Sequence, residues 1–114
     1  MSFNDKTFNA LAFFSIKAAA DLPANRFVGF DGNIAALESK SLGVTQYDCS
    51  SGDYASVITI GTAVVETSVA VSAGDKLTAD ENGLAKKAIG TALINGRSLD
   101  TISAPGFVRI LLTT

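Results

Sequence analysis

Side chains able to carry out chemistry are few in this chain of 114 residues, which contains no His and a single Cys. That residue, Cys49, lies between Asp48 and Ser50 in a polar loop. A nucleophilic thiol needs a His or nearby cations to hold it as the thiolate, and acidic neighbours oppose ionisation. Cys49 is therefore interpreted as unreactive unless a lysine lies close to it in space. Without imidazole, catalysis and metal binding that depend on His are excluded.

A second polar group surrounds the sequence Asn82-Gly83 and consists of Asp75, Asp80 and Glu81. These carboxylates lack the spacing of a calcium-binding EF-hand loop, so turn residues are the better interpretation. Lys86-Lys87 could carry a covalent cofactor only at a hairpin tip, and here the tip is Asn82-Gly83. Charges that protect a strand edge explain the lysines better. We predict no catalytic, cofactor or metal site and no enzyme, although carboxylate or lysine chemistry stays open.

The composition favours a protein held together by packing or association. Hydrophobic residues make up 47% and charged residues 18%, against a usual charged share of about 25%. A net charge of -2 without a basic cluster argues against nucleic acid as a partner. The apolar stretch Ala10–Phe14 is too short to cross a bilayer, so no membrane partner and no signal peptide are expected. One thiol cannot form an internal disulfide.

Short apolar runs broken by Gly, Asn and Asp predict strands and hairpins. The predicted strands are Phe13–Lys17, Arg26–Phe30, Ile34–Leu37, Leu42–Gln46, Val57–Ile60, Ala63–Val71, Lys76–Ala79, Leu84–Ala88, Gly90–Ile94 and Phe107–Leu112. Asn82-Gly83 and Asn95-Gly96 are predicted to form tight hairpin turns, because Asn-Gly readily adopts the positive φ angles that such turns need.

An internal repeat organises these strands. The matching segments are Arg26-Phe27-Val28 with Lys76-Leu77-Thr78, Leu42-Gly43-Val44 with Ile89-Gly90-Thr91, and Val57–Ile60 with Val108–Leu111. A half of this size cannot bury its apolar face alone. We therefore expect an all-β fold, a small sandwich or barrel built from two similar β halves. The domain would span residues 15–114, with the duplication at about 22–61 and 71–112.

An N-terminal arm is expected over residues 1–14. It carries Phe3, Phe8, Phe13 and Phe14, and so many aromatic side chains suggest that it docks somewhere. An edge strand of its own domain is an equally good interpretation. If the arm docks on a partner, Phe3 and Phe8 are the candidate contacts.

Three segments resemble the phage capsid decoration, or head cement, protein family. They are Ile16–Leu22, then Val71–Asp80 with Asn82-Gly83, then Ile89–Leu93, and the final strand Val108–Leu112 fits as well. The family builds a hairpin on an Ala-Gly-Asp turn and an Asn-Gly turn that leads into an Ile-Gly-x-Ala-Leu strand. The first half departs from this pattern, because Leu22-Pro23-Ala24-Asn25 stands where the Ala-Gly-Asp turn is expected.

The resemblance implies a structural virion protein that binds the outer surface of a bacteriophage capsid and stabilises the head shell. Its partners would be the major capsid protein, with Phe3 and Phe8 as candidate contacts, and further copies of itself. A trimer is favoured and a dimer is possible. The alternative is a β-rich ligand-binding or carrier module in a phage spike, tail or other complex. Tyr47 and Tyr54 side by side on an open face would favour that alternative.

Overall fold

The computed structural model describes residues 9–113, and these residues form eight β-strands. The strands are β1 (Ala10–Lys17), β2 (Phe27–Val28), β3 (Gly43–Thr45), β4 (Tyr54–Glu66), β5 (Lys76–Ala79), β6 (Ala85–Lys87), β7 (Gly96–Ser98) and β8 (Phe107–Leu112). The named strands pair antiparallel into one sheet that is nearly closed into a barrel, which confirms the all-β prediction. Within this part of the chain, no helix is long and apolar enough to cross a membrane.

Strand β4 organises the sheet. The strand order is β2-β3-β4-β8-β7-β5-β6, and β1 pairs with β4 outside this path. The first part of β4 lies between β1 and β3, because Val57 is opposite both Phe14 and Thr45. Its last part pairs with β8 from Thr62 to Glu66. One strand of 13 residues therefore joins the two halves of the sheet.

Two apolar clusters bury the faces of the sheet. The larger one lies inside the barrel and contains these buried residues: Phe27, Ala35, Val44, Ile58, Ala63, Val65, Val71, Leu77, Ala79, Ala85, Val108 and Ile110. The smaller one contains Ala18, Leu22, Val28, Ala55 and Val57. In β4, Val57 belongs to the smaller cluster and Ile58 to the larger one, so adjacent residues pack on opposite faces.

The two halves of the chain repeat one pattern of strand pairing. In the first half β1 pairs with the start of β4, β4 with β3, and β3 with β2. In the second half the end of β4 pairs with β8, β8 with β7, and β7 with β5. The bridge between Leu22 and Cys49 likewise corresponds to the bridge between Val71 and Ile102. The end of β4 is thus the counterpart of β1.

The register of the repeat differs from the sequence match. Gly43 is opposite Val28 of β2, and Gly96 is opposite Leu77 of β5, so these two glycines are equivalent. The sequence match paired Gly43 with Gly90 instead, and that was wrong. The other two matched segments are displaced as well, because Val28 corresponds to Leu77 and Val57 corresponds to Ile110. Gly90 has φ +62° and lies in a turn, not in a strand.

Two further predictions near this glycine are corrected. The predicted strand Gly90–Ile94 is a turn segment, in which the Ala92 amide donates to the Ile89 carbonyl at 3.2 Å. The predicted Asn95-Gly96 turn is absent, because Gly96 begins β7 and Asn95 is fully buried. Asn82-Gly83 does form its predicted turn, with φ +75° at Gly83.

The predicted strand Ile34–Leu37 is reduced to a single bridge between Ile34 and Val28. The chain then turns at Glu38, which has φ +58° and donates its amide to the Ala79 carbonyl at 2.8 Å. This tertiary hydrogen bond holds a backbone conformation that side-chain-bearing residues rarely adopt. Residues 36–40 therefore form a loop beside β5.

The predicted strands Val57–Ile60 and Ala63–Val71 belong together up to Glu66, because β4 runs on through Gly61. Gly61 has φ +101°, and a side chain there would collide with the Asn9 carbonyl of the neighbouring chain segment. A glycine thus lets the strand continue with an irregular register against β1.

The boundary of the expected arm also changes. Residues 10–14, which the sequence assigned to the arm, are the first part of β1 and pair with β4. Hydrogen bonds to a neighbouring strand, together with contacts of Ala10 with the larger cluster, explain why they join the sheet. Residues 1–8, including Phe3 and Phe8, lie outside the described residues.

Candidate functional site

Strand β1 is the described segment that directly follows the candidate contacts Phe3 and Phe8. Its side chains are unusually exposed for an apolar strand: Leu11 is 76%, Phe13 52% and Phe14 54% accessible. Between Ala10 and Lys17 the strand contains no charged residue, proline or glycine. Such an edge presents both apolar side chains and backbone groups to a partner.

The position of β1 explains this exposure. Phe13 is opposite Ile58 and Phe14 is opposite Val57, so the two aromatic rings lie on opposite faces of the β1–β4 ribbon. Among the described strands β1 pairs with β4 alone, and each ring therefore lies at the margin of a cluster rather than inside it. β1 is an edge strand whose apolar residues are half covered by their own domain.

A second exposed apolar group lies on loops. Leu37, Ile89 and Leu93 are 53%, 76% and 52% accessible. The loops that carry Leu37 and Leu93 are joined because the Leu93 amide donates to the Glu38 carbonyl at 3.1 Å, while the Glu38 carboxylate pairs with Lys86 at 3.0 Å. The sequence analysis did not identify this group, since Leu37 and Leu93 were assigned to the predicted strands Ile34–Leu37 and Gly90–Ile94.

Cys49 lies beside acidic and neutral residues, and no cationic side chain is among the described residues that line its depression. An open depression is lined by Asp21, Leu22, Pro23, Asp48, Cys49 and Ser50. The carboxylate of Asp21 accepts the Ser51 amide at 2.8 Å, and that of Asp48 accepts the Ala24 amide at 2.8 Å. These acidic groups hold the loops on either side of the depression.

The carboxylates around the β5–β6 turn are structural as well. The Asp80 carboxylate accepts the amides of Asn82 and Leu84 at 2.8 and 3.0 Å. The Asp75 carboxylate accepts the Ser72 amide at 2.8 Å and pairs with Lys87 at 3.6 Å. Among residues 9–113, no three His, Cys, Asp or Glu side chains are grouped so that they could hold a metal ion.

Asp31, Lys40 and Arg109 each have a shifted pKa with a local cause. Hydrogen bonds from Asn33 lower the pKa of the Asp31 carboxyl, and burial lowers the pKa of the Lys40 ammonium. The hydrogen bond to Asp100, reinforced by its negative charge, raises the pKa of the Arg109 guanidinium. The Lys40 ammonium donates to the Thr113 carbonyl at 2.8 Å, so it tethers the end of the chain. These interactions are all within the fold.

The fold defines an all-β protein that presents exposed apolar side chains on an edge strand. A sequence profile of the phage cement proteins matches residues 11–113. The chain therefore belongs to the phage cement protein family, and it is a capsid-associated structural protein of the virion.

The fold is shared with a solved structure. The crystal structure of the N base of head fiber gp8.5 from bacteriophage phi29 is similar, with a TM-score of 0.74 and 18% sequence identity. The likeness covers 90% of this chain and 93% of that chain. At this identity it establishes the fold alone. A search of curated proteins gives no match.

Proposed function

We propose that the protein binds the outer surface of an assembled phage head as a homo-oligomer, with a trimer favoured, and stabilises the shell without catalysing a reaction. The major capsid protein is the proposed partner. The observation that carries this proposal is the exposed apolar strand β1, with Leu11, Phe13 and Phe14 between half and three quarters accessible. Phe3 and Phe8 extend the same apolar character along the sequence.

Burial of aromatic side chains against the coat protein would supply the affinity, because such residues contribute most in well-packed interfaces. The low charge of the chain fits this mode of binding, since charged groups are depleted at interface cores. An oligomer that holds several sites at once binds far more tightly than one subunit. An oligomer bound to several coat subunits would then oppose the separation of those subunits from one another.

The test is co-sedimentation with purified heads. A variant lacking residues 1–8 keeps Asn9, whose amide donates to the Thr62 hydroxyl at 2.6 Å, so the described fold should persist. We expect this variant, and separately Phe13→Ser, to lose at least about tenfold in affinity for heads. Leu99→Ser is the matched control, because Leu99 is 45% accessible outside β1. Unchanged binding of both test variants would refute the assignment of this surface.

A ligand-binding module is not favoured by the two exposed tyrosines. Tyr54 begins β4 opposite Lys17 of β1. Tyr47 follows β3, which lies along the other edge of β4. The β3–β4 register, continued from Thr45 opposite Val57 and Gln46 bonded to Ser56, brings Tyr47 beside Ala55, and the adjacent Tyr54 belongs to the opposite face of β4. This register gives no support for a shared aromatic platform on one face.

A further inference from the structure

The contact between the two halves of the chain is the starting point. At the end of β4, the Glu66 amide donates to the Asn25 carbonyl at 2.9 Å. The Glu66 carboxylate also lies 3.6 Å from the Arg26 guanidinium. The turn before β2 in the first half thus covers the end of the first strand of the second half. Both a backbone hydrogen bond and an ion pair contribute to the contact.

The repeat gives each of these residues a counterpart. The end of β4 is the counterpart of β1. Glu66 is opposite Phe107 in β8, as Lys17 is opposite Tyr54 in β4, so Glu66 corresponds to Lys17. The Thr45 amide donates to the Arg26 carbonyl, and the Ser98 amide donates to the Asp75 carbonyl. Arg26 therefore corresponds to Asp75.

The third counterpart concerns the turn itself. The Asn25 amide donates to the Thr45 carbonyl, and the Gly74 amide donates to the Ser98 carbonyl. Both Asn25 and Gly74 have positive φ, 62° and 91°. Asn25 and Gly74 are therefore equivalent positions in the two halves.

The counterparts are not joined within the described chain. The Lys17 side chain is exposed at the end of β1, which pairs with β4 alone among the strands of residues 9–113. The turn at Gly32 lies against the Lys17 carbonyl, and the Gly32 carbonyl accepts the Ala19 amide at 3.0 Å, so the proposed contact concerns the Lys17 amide and side chain. The turn of residues 72–74 is exposed as well, and a Cβ atom at Gly74 would meet nothing within 4 Å. In the first half the corresponding Asn25 is partly covered. The end of β1 at Lys17 and the turn of residues 72–74 are therefore two separate exposed surfaces of one chain.

We propose that a second copy of this chain lies against the Lys17 end of β1, with its Gly74-Asp75 turn beside Lys17. The Gly74 carbonyl of one copy, which accepts the Arg97 guanidinium at 3.4 Å, would also accept the Lys17 amide of the next. The Asp75 carboxylate, which pairs with Lys87 at 3.6 Å, would also pair with the Lys17 ammonium. The charges support this occupant: the internal pair is a cationic Arg26 with an anionic Glu66, and the counterparts are an anionic Asp75 with a cationic Lys17. The charge signs at the two positions are exchanged between the halves, and opposite charges still face each other.

The two surfaces in this contact differ, so the contact is heterologous and closes into a ring when the rotation between subunits allows it. A trimer, as in the proposed function, is such a ring. The inference rests on the self-association in that proposal and specifies its interface. The contact involves the Lys17 end of β1. Leu11 and Phe13, nearer the start of the strand, stay available to bind the shell.

The first test is charge reversal, with sedimentation velocity of the full chain as the measurement. Lys17→Glu and Asp75→Lys should each raise the dissociation constant of the oligomer by about tenfold or more, because like charges would face each other. Combining the two changes should restore association to within about threefold of wild type, because the attraction is rebuilt with opposite signs. Glu81→Lys is the control, since this exposed turn residue lies outside the contact.

The outcomes separate the two proposals. A wild-type chain that binds heads but sediments as a monomer would overturn this interface and leave shell binding intact. Oligomers that persist in Lys17→Glu, with no rescue by the double variant, would also overturn it. Asp75→Lys removes the contact with the Ser72 amide and the ion pair with Lys87, so circular dichroism must show that this variant is folded. Lys17→Glu has no such complication, because Lys17 makes no ion pair in residues 9–113.

A second test uses crosslinking in a Cys49→Ser background. With both Lys17→Cys and Asp75→Cys, oxidation should give a covalent ladder that extends beyond the dimer on a denaturing gel. Either cysteine alone should give monomers, since the contact joins unlike positions. A two-fold pairing of β1 with β1 would stop at dimers and would refute the head-to-tail arrangement.

Discussion

Replacement of the buried Asn95 by Ala should be strongly destabilising. The Asn95 side chain is fully buried, accepts the Ser41 amide at 2.8 Å and donates to the Ser39 carbonyl at 3.0 Å. It therefore joins β7 to the loop that precedes β3. Alanine would leave both backbone groups without these partners, and an unsatisfied buried group costs about 1–3 kcal/mol.

The two groups differ in burial, which sets the expected size of the effect. Ser41 is 2% exposed and its amide should bear the full penalty, whereas Ser39 is partly exposed and water can reach its carbonyl. We expect a loss of about 3 kcal/mol in the free energy of unfolding. For a domain of this size that lowers Tm by roughly 10–20 °C.

Urea unfolding followed by circular dichroism measures this loss, with the m value used to check that the transition keeps its character. Asn33→Ala is the control, because Asn33 is exposed and its side chain makes one long hydrogen bond of 3.3 Å to Asp31. We expect less than about 1 kcal/mol for it. A loss below about 1 kcal/mol for Asn95→Ala would refute the role of this side chain.

Two other predictions concern backbone space and pH. Gly43→Ala should cost more than about 3 kcal/mol, because the new methyl group would overlap the Ile58 carbonyl and lie 2.9 Å from Val57. The equivalent Gly96→Ala should cost less, since its nearest atom is the Leu111 carbonyl at 2.8 Å; equal midpoints in urea would contradict this order. Asp31→Ala should lower stability slightly at pH 7. Because the folded pKa lies below 3.8, the difference should persist above that value, shrink as the pH falls through the folded pKa and vanish below it. A difference that stayed constant down to pH 2 would contradict the cause given for that shift.

Local pattern was enough to predict some strands from the sequence. Lys76–Ala79 and Phe107–Leu112 were predicted with the bounds that the structure has, because each is a short run with apolar residues that follows a turn signal. The Asn82-Gly83 turn was predicted because Asn-Gly readily adopts positive φ angles. In these segments the local preference and the tertiary fold agree.

Asn95-Gly96 was predicted wrongly because its role depends on distant residues. Asn95 bonds to Ser41 and Ser39, which are 54 and 56 positions away in the sequence. Gly96 is needed because β8 packs against it, and not because a turn requires positive φ. An Asn-Gly pair has the same local preference in both settings, so only the tertiary contacts distinguish them.

The candidate surface was predictable in part. The aromatic residues near the start of the chain indicated a docking segment, and Phe13 and Phe14 are indeed exposed on an edge strand. The group of Leu37, Ile89 and Leu93 could not be predicted. Its loops are brought together by the backbone of Glu38, whose positive φ has no signal in the sequence.

The repeat explains why the two halves cannot be separated. The last strand of the first half and the first strand of the second half are one strand, β4, so a cut near Gly61 would divide a continuous strand that both halves pair with. Gly43 and Gly96 occupy equivalent places, and each lies under a carbonyl of the following strand, Ile58 or Leu111. The backbones of β3 and β4 approach each other closely at Gly43, and those of β7 and β8 do so at Gly96, although the surrounding side chains differ. Lys17 carries the opposite charge to its counterpart Glu66, and Asp75 carries the opposite charge to its counterpart Arg26. Both pairs are attractive, so the proposed contact between chains keeps the attraction of the internal one.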